Sequence, residues 1–338
     1  SDGISLFGPG HRRGNFYSGS IAWKINEDFF KSVKQLDVLK LRLGWGQTGN
    51  SNIGSGFQYV NQISSPNSFY AVFGDDQHIA KAMYTFEQMG NPSIEWEKAE
   101  MINSGFDFTL FKYRLTGSVE YYLKNNKDLL VQVPPPLALG ILPSSPYKPW
   151  FNAADIQNKG VELSLQWRDK VREFNYNIIG SLTTIYNTVK YMPMPNITGE
   201  FNRTIVGQPI GSLYGYVSEG IIQQTEAYYD KNEDGTINLG AYKFPKQEGV
   251  MPKPGDLKYS DLNGDGQVTA LDKTIIGKTI PGFTYTLGFD CSYKNFDFSI
   301  FLFGIGDFDI YNFQRATLSS MNTQDQMHNK LNDFAKNH

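Results

Sequence analysis

The sequence predicts an all-β protein, a partial antiparallel transmembrane β-barrel with long extracellular loops. Apolar and polar residues alternate one for one in several long runs, beginning with residues 103–110, NSGFDFTL. The connections between these runs are alternately short and long. Aromatic residues make up 14% of the chain, and charged residues only 19%. Together these patterns favour strands with one apolar and one polar face.

The two faces of each predicted strand are sorted by chemistry. Phe106, Phe108 and Leu110 would share one side, opposite Asp107 and Thr109. The same alternation recurs in residues 39–45, 114–122, 161–167, 174–182, 285–293 and 296–302. A lipid-facing band around a polar lumen has this pattern. A soluble antiparallel sheet with one face on a core has it too, so alternation alone leaves both interpretations open.

The order of connections separates these interpretations. About eight strands are predicted, near residues 14–25, 37–49, 99–110, 114–124, 158–168, 173–187, 285–293 and 296–302. The short links lie at 26–32, 111–113, 169–172 and 294–295. The long links precede residue 99, cross the proline-rich segment 133–149 and fill about 188–282. Outer-membrane barrels have short periplasmic turns and long extracellular loops. We therefore predict that the tight turns face the periplasm and that 188–282 is a long extracellular loop.

Composition excludes several classes of protein. The net charge of -3 gives no basic footprint for nucleic acid. Cys291 is the one cysteine in the sequence, so there is no disulfide framework. No run of about eighteen apolar residues predicts a transmembrane helix. The chain begins with SDGISLFG, which is typical of a loop, and no signal peptide is evident. We expect residues 1–338 to be a fragment of one barrel.

Seven segments, in order, resemble SusC/RagA-type TonB-linked outer-membrane transporters. They are 41–50 (LRLGWGQTGN), 91–97 (NPSIEWE), 114–122 (RLTGSVEYY) with 127–130 (KDLL), 156–163 (IQNKGVEL), 207–216 (GQPIGSLYGY), 254–266 (PGDLKYSDLNGDG) and the run from 276 to 303. The resemblance covers nearly the whole chain and follows the later part of that family's barrel.

The resemblance implies a barrel of about twenty-two strands with a plugged lumen in the outer membrane of a Gram-negative bacterium. It implies import of oligosaccharides or peptides, with a SusD-like lipoprotein as partner and with energy from TonB. We expect the plug and the N-terminal regions that contact TonB to be absent from residues 1–338, which would supply wall and extracellular loops in contact with the lipid bilayer. The open alternative is a secreted, calcium-stabilised, glycan-binding β-sandwich.

The strongest local motif is residues 261–272, DLNGDGQVTALD. Its oxygen-bearing residues have the spacing of a calcium-binding loop, with Gly266 at the sharp turn. The predicted ligands of a structural Ca²⁺ are Asp261, Asn263, Asp265, the backbone carbonyl of Gln267, and Asp272. The alternative is a tight turn rich in Asp and Asn that needs no metal. A second copy at 230–238 lacks the closing carboxylate, because Ala241 stands at that position, and we interpret it as a turn.

Aromatic residues in the loops are candidate substrate contacts. They are Trp96, Tyr147, Trp150, Phe151, Tyr214 and Tyr216. Flat apolar rings would suit sugar rings or peptide side chains, but the same residues would equally pack the loops together.

The sequence offers little support for a catalytic site. The four histidines have no metal-ligand spacing, and the carboxylate pairs Asp75/Asp76 and Glu95/Glu97 are typical of solvated loops. No nucleophile elbow or phosphate-binding loop is present. We predict that the chain is not an enzyme.

Overall fold

The structure is a computed structural model. It describes residues 1–53, 57–64, 70–72, 80–82, 85–133, 148–193, 196–197, 201–222, 229–231, 233–234, 237–242, 244–253 and 255–314. Two compact units are present. The first comprises residues 1–195, 205–209 and 281–307, and the second comprises 196–204, 210–280 and, of the described residues, 308–314.

The first unit is built on one large sheet. Its strands are β1 (Ser18–Lys24), β2 (Leu36–Asn50), β3 (Glu97–Leu110), β4 (Leu115–Gln132), β5 (Trp150–Val171), β6 (Phe174–Thr184), β7 (Tyr186–Tyr191), β8 (Phe283–Tyr293) and β9 (Phe296–Gly306). The order across the sheet is β9-β8-β6-β5-β4-β3-β2-β1, and β7 pairs with β5 above β6. Every pair in the sheet is antiparallel. The all-β antiparallel prediction is confirmed.

The remaining elements are short. In the first unit they are the strands Asp2–Gly3, Arg13–Gly14, Gln62–Ser64, Tyr70–Val72, Ala80–Ala82 and Thr85–Gln88 and the 3-10 helix Ile25–Glu27. In the second unit they are Asn196–Ile197, Asn202–Thr204, Ser212–Gly215, Ser218–Ile221, Tyr229–Lys231, Ile237–Tyr242, Lys246–Gln247, Leu257–Tyr259, Gln267–Val268 and Thr274–Gly277, with the 3-10 helix Ala270–Asp272. None of the helices in the described part of the chain has the length and apolarity needed to span a membrane.

Strand lengths depart from the sequence expectation at one end of the sheet. β4 continues to Gln132 and β5 begins at Trp150, so both extend well beyond the alternating runs. The added residues, 125–132 (NNKDLLVQ) and 150–157 (WFNAADIQ), mix apolar and polar side chains without a period of two, which is why hydrophobic alternation does not reveal them. At the other end β5 continues to Val171, so the turn predicted at 169–172 is only Arg172 and Glu173.

The break between β6 and β7 has a packing cause. A Cβ atom built on Gly160 of β5 would lie 1.9 Å from the carbonyl oxygen of Thr184, the last residue of β6. The Tyr122 hydroxyl donates to the same carbonyl oxygen at 3.2 Å. Gly160 therefore allows a close approach that leaves Ile185 outside both strands, with its N–H donating to the Gly282 carbonyl at 2.8 Å.

One face of the sheet is apolar from edge to edge. The strand registers place one residue from each of six strands in a single row across this face: Leu41, Phe106, Val119, Leu163, Leu182 and Tyr285. These side chains are not covered by a second layer; Phe106 is 40% exposed and Val161, on the same face, is 42% exposed. A soluble sandwich would bury them, so the sandwich interpretation is wrong. On β4 the apolar row runs from Leu115 to Leu123, close to the roughly 9–11 residues of a transmembrane strand.

The main hydrophobic cluster lies among the connections rather than against the sheet. Its buried members are Phe7, Ile53, Ile94 and Trp96, which come from segments before β1 and between β2 and β3. Asn152 of β5 ties the same region together, because its amide donates to the Glu95 carbonyl at 2.8 Å and accepts from the Glu95 N–H at 2.9 Å. The segment before β1 and part of the connection between β2 and β3 therefore pack together at one end of the strands.

Candidate functional site

The polar face of the large sheet carries a network of ion pairs. Arg42 of β2 contacts Asp107 of β3 at 2.9 Å and Glu120 of β4 at 3.1 Å through its Nη2 atom. Gly105 lies between Arg42 and Glu120 in the cross-strand row. A Cβ atom at Gly105 would lie 2.6 Å from the Val119 carbonyl oxygen. Glycine at this position keeps β3 close to β4 and leaves room for the arginine to reach across.

Further along the same face the network changes from charges to amides and hydroxyls. Asp290 of β8 accepts from Asn177 of β6 at 3.1 Å and from the Ser299 hydroxyl of β9. Asn175 donates to Ser292 at 3.2 Å. Asn175, Asn177, Asp290 and Ser292 line a depression of about 500 Å³ near the tight turns. The polar face is thus a wall on which hydrogen-bonded side chains offer both donors and acceptors.

A second depression of about 340 Å³ surrounds Arg42. Small residues on β1 and β2, among them Ser20, Ala22 and Gly44, line it together with Asn103 and Glu120. Small side chains beside a long arginine leave this part of the wall concave. Sequence reasoning missed Arg42, Asp107 and Glu120 as site residues, although each occupies a polar position of the alternation.

The motif 261–272 forms a closed turn in the second unit. Asp261 accepts from the N–H groups of Gly264 and Gly266, both at 2.7 Å. Gly264 and Gly266 have φ of 76° and 81°, values that glycine adopts without strain. Asn263 accepts from the Asp265 N–H at 2.8 Å, and Asp265 accepts from the Gln267 N–H at 2.8 Å.

Asp272 closes this loop from a fully buried position. One carboxylate oxygen accepts from the N–H of Leu262 at 2.9 Å and of Asn263 at 3.3 Å, and the other accepts from Thr269 at 2.7 Å. The Thr269 backbone hydrogen bond is the main cause that holds the pKa of Asp272 below its usual value, with the bonds from Asn263 and Leu262 adding to it. The carboxylate therefore stays ionised without a cation beside it.

These bonds bear on whether a calcium ion fits. Within the part of the chain that the structure describes, no three acidic, histidine or cysteine side chains are grouped to hold a metal. Each oxygen of Asp272 is engaged by the backbone of its own loop, so the loop is closed in the manner of the turn alternative. Asp261, Asn263, Asp265 and the Gln267 carbonyl keep the sequence spacing of ligands, and calcium binding stays a prediction. The second copy at 230–238 lies partly outside the described residues.

The predicted aromatic contacts have different surroundings. Trp96 is only 8% exposed and packs edge-on against Phe7 at 5.7 Å and Phe16 at 5.6 Å. Trp150 is partly buried against the same cluster. Both positions favour the packing interpretation over contact with substrate. Phe151, by contrast, is 40% exposed, and Tyr147 lies outside the described residues.

Tyr214 and Tyr216 belong to the second unit, and each has a positively charged side chain over its ring. The Arg203 guanidinium lies 4.0 Å from the Tyr214 ring centre, and the Lys273 ammonium lies 4.9 Å from that of Tyr216. Burial raises the pKa of the Tyr216 hydroxyl, and the negative charges of Glu248 and Asp272 raise it further. Of the five described residues, Trp96, Trp150 and Phe151 thus belong to the first unit, and Tyr214 and Tyr216 belong to the second.

The histidines and carboxylate pairs that the sequence analysis interpreted as solvated lie only partly within the described residues. His11 lies 4.0 Å from Glu95, and both side chains are more than a third exposed. Glu97 accepts from Asn50 at 3.2 Å. Residues 75, 76, 78, 328 and 338 lie outside the described residues.

Comparison with known proteins matches this architecture to one family. Residues 2–297 match the model of the "TonB dependent receptor-like, beta-barrel" family. "TonB-dependent receptor P3" of Formosa agariphila is 30% identical over 332 residues, covering 94% of this chain and 31% of that protein. "TonB-dependent receptor SusC" of Bacteroides thetaiotaomicron is 28% identical over 335 residues, covering 98% and 30%. These relatives are receptors, in agreement with the prediction that the chain is not an enzyme.

A solved structure gives the same fold. The structure of "the RagAB peptide importer in the 'closed-closed' state" aligns with a TM-score of 0.66 at 22% identity, covering 90% of this chain and 30% of that one. The chain thus spans about a third of the length of the proteins it matches. It is part of a β-barrel of the outer membrane of Gram-negative bacteria, and it belongs to the TonB-dependent receptor-like β-barrel family.

Proposed function

We propose that the chain forms part of the wall and the surface loops of an importer of oligosaccharides or peptides. The observation that carries this proposal is the chemistry of the large sheet: one face is apolar, and the opposite face carries ion-paired and amide side chains. A hydrophilic solute crosses a membrane only where polar groups replace its water. The Arg42–Asp107–Glu120 cluster and the Asn177–Asp290–Ser299 ladder supply such groups along the lumen side.

The finer parts of the proposal rest on the relatives. The names of the matched receptors support dependence on TonB, and the likeness to the RagAB peptide importer supports peptides as one cargo class. The sequence resemblance supports a SusD-like surface lipoprotein as partner and oligosaccharides as the other cargo class. The packed loop cluster around Trp96 supplies a folded surface at the end opposite the tight turns. We place that end outside the cell, because outer-membrane barrels carry their long loops there.

Growth after deletion of the full-length gene tests the proposal. The deletion strain is supplied with either a peptide mixture or an oligosaccharide mixture as sole carbon source. We expect growth to be lost on one mixture only and to be restored by the wild-type gene. Deletion of tonB should give the same loss, whereas growth on free amino acids or monosaccharides should not change. Unchanged growth on both mixtures would contradict import of either cargo class.

Co-purification tests the partner. A tagged full-length protein, extracted from outer membranes in mild detergent, should retain a lipid-modified surface protein in about equal amount. A tagged unrelated barrel from the same membranes is the control. Recovery of the tagged protein alone would contradict a stable lipoprotein lid.

A further inference from the structure

Two of the tight connections that we place on the periplasmic side form one joined surface. Residues 25–35 link β1 to β2, and residues 111–114 link β3 to β4. The Phe111 N–H donates to the Gln35 carbonyl at 2.8 Å, and the Tyr113 N–H donates to the Asp37 carboxylate at 2.9 Å. These bonds hold the turn at 111–113 beside the link that precedes β2.

Large apolar side chains of this surface are not covered by other described parts of the chain. Phe29 and Tyr113 are each 69% exposed, and Phe30, Val33 and Phe111 are between 41% and 43% exposed. An exposed apolar group of this size marks a contact with something outside the chain.

Two of these rings continue the lipid-facing side of the sheet. Phe29 packs edge-on against Trp23 with ring centres 5.6 Å apart, and the Phe111 ring centre lies 6.2 Å from that of Trp167. The strand registers place both tryptophans on the apolar face. The exposed rings therefore lie at the periplasmic edge of the apolar band, the depth at which aromatic residues meet lipid headgroups.

Three lysines of this surface have no anion beside them in the described part of the chain. Lys31, Lys34 and Lys112 are exposed, and no ion pair joins them to another described residue. The adjacent carboxylates have other partners: Glu27 contacts Lys24 at 3.3 Å, Asp28 accepts from the Trp23 indole at 2.7 Å, Asp37 accepts from the Tyr113 N–H, and Asp169 contacts Arg114 at 3.3 Å. Residues 29–34 (FFKSVK) and 111–113 (FKY) contain no acidic residue of their own. We name these two segments the lysine–aromatic rim.

We infer that the lysine–aromatic rim binds an anionic phospholipid of the periplasmic leaflet. The lipid phosphate would accept hydrogen bonds from the lysine ammonium groups, and the upper part of its acyl chains would cover the exposed rings. A zwitterionic lipid is a weaker ligand, because its own ammonium group competes with the lysines for the phosphate. Lipid is favoured over a soluble anion because the lysines stand next to rings at the edge of the apolar band.

The other two tight turns lack this arrangement. Residues 169–173 (DKVRE) contain two basic and two acidic residues, and residues 294–297 (KNFD) contain one of each. Both segments therefore have no net charge. Lys170 and Lys294 lie on the same side of the membrane as the rim and serve as internal controls.

Amine labelling of the full-length protein tests the site. The protein is placed in nanodiscs of phosphatidylcholine, with or without phosphatidylglycerol, and the labelling of each lysine is quantified by mass. Phosphatidylglycerol should slow the labelling of Lys31, Lys34 and Lys112 severalfold, and added salt should weaken this protection. Labelling of Lys170 and Lys294 should change little. Soluble glycerol phosphate, added to discs of phosphatidylcholine alone, should protect none of these lysines.

Two charge-matched variants measure how specific the site is. Changing Lys31, Lys34 and Lys112 together to Gln should weaken retention of phosphatidylglycerol by about tenfold or more, because each lysine near an anionic surface contributes about fivefold in affinity. The control variant removes the same charge from the other two turns through Lys170→Gln, Arg172→Gln and Lys294→Gln. It should retain the lipid as the wild-type protein does. Heat-modifiable gel migration checks barrel assembly in both variants.

Any of three results would overturn the inference. They are equal or absent protection across the five lysines, protection by soluble glycerol phosphate, and equal lipid retention by the two variants. The labelling assay uses the wild-type protein, so it stands even where a variant fails to assemble. Neither assay involves transport, so the lipid site and the importer proposal fail independently.

Discussion

At the scale of single residues, Gly160 shows how one missing Cβ atom shapes the sheet. We predict that Gly160→Ala destabilises the protein by about 1–3 kcal/mol, because the new methyl group would meet the Thr184 carbonyl oxygen at 1.9 Å. Gly180→Ala is the matched control, since nothing lies within 4 Å of its Cβ position. Urea unfolding of the full-length protein in lipid vesicles measures both changes. Equal effects would show that close packing at Gly160 does not determine the break after β6.

The stability of the second unit should depend on pH through Asp272. Its pKa is lowered in the folded state. Its contribution to stability is therefore fully present above the unfolded pKa of about 3.9 and is lost as the pH falls through the lower folded value. We predict that proteolysis between residues 255 and 280 accelerates when the pH falls below about 4. An acid-stable protease should show this in the wild-type protein but not in Asp272→Asn, which should be cleaved rapidly at every pH.

Calcium binding at 261–272 is a separate prediction. If Ca²⁺ binds there at about 2.3–2.6 Å from the ligand oxygens, chelation should increase cleavage between residues 255 and 280 at neutral pH. Asp265→Ala should abolish the difference between calcium and chelator and weaken docking of the lid, while leaving barrel assembly intact. Identical cleavage of the wild-type protein with and without calcium would establish that Asp261, Asn263 and Asp265 form only a turn.

At the scale of elements, the two faces of β4 should respond in opposite ways to charge. Val119 lies in the middle of the apolar row, and the neighbouring Ser118 points to the polar wall. We predict that Val119→Arg costs about 2–4 kcal/mol, as expected for an arginine at the bilayer midplane. Ser118→Arg should cost much less, because Asp107 faces it across the strand pair. Folding into vesicles followed by denaturant titration compares them, and similar losses would contradict the assigned faces.

The elements also show how far sequence reasoning reaches. The alternating runs predicted β3, β8 and β9 closely, because lipid on one side and water on the other impose a period of two. They did not predict the outer halves of β4 and β5, where apolar and polar residues do not alternate because Leu130 and Trp150 pack against the cluster around Trp96 and Ala154 and Ile156 are buried. Nor did they place Trp96 in a core, because that environment is assembled from segments far apart in the chain. The residue types and their spacing predicted the loop 261–272 from the sequence. Only the structure shows that the Asp272 carboxylate accepts hydrogen bonds from backbone N–H groups of this loop.

At the scale of the whole molecule, the described part of the large sheet has two edges that lack a neighbouring strand. Among the described strands, β1 pairs only with β2 and β9 pairs only with β8. In lipid, unpaired backbone groups are costly, and a spanning sheet must close. We predict that residues 1–338 expressed alone form no heat-resistant barrel and aggregate through these edges. The full-length protein, refolded in the same vesicles, is the control; a monomeric, protease-resistant fragment would show that the sheet is self-sufficient.

The extension of β4 and β5 beyond the apolar band has a mechanical consequence. The ladder from Leu115↔Trp167 near the tight turn reaches Gln132↔Trp150 among the loops. Its hydrogen bonds run perpendicular to the strands, as in any antiparallel pair. A pull along the strand direction on the connection between β4 and β5 moves both strands the same way, so it loads the hydrogen bonds to the flanking strands β3 and β6 together in shear instead of opening them one at a time. A force applied to this connection at the cell surface would thus be transmitted through the paired strands β4 and β5 to the part of the sheet in the bilayer.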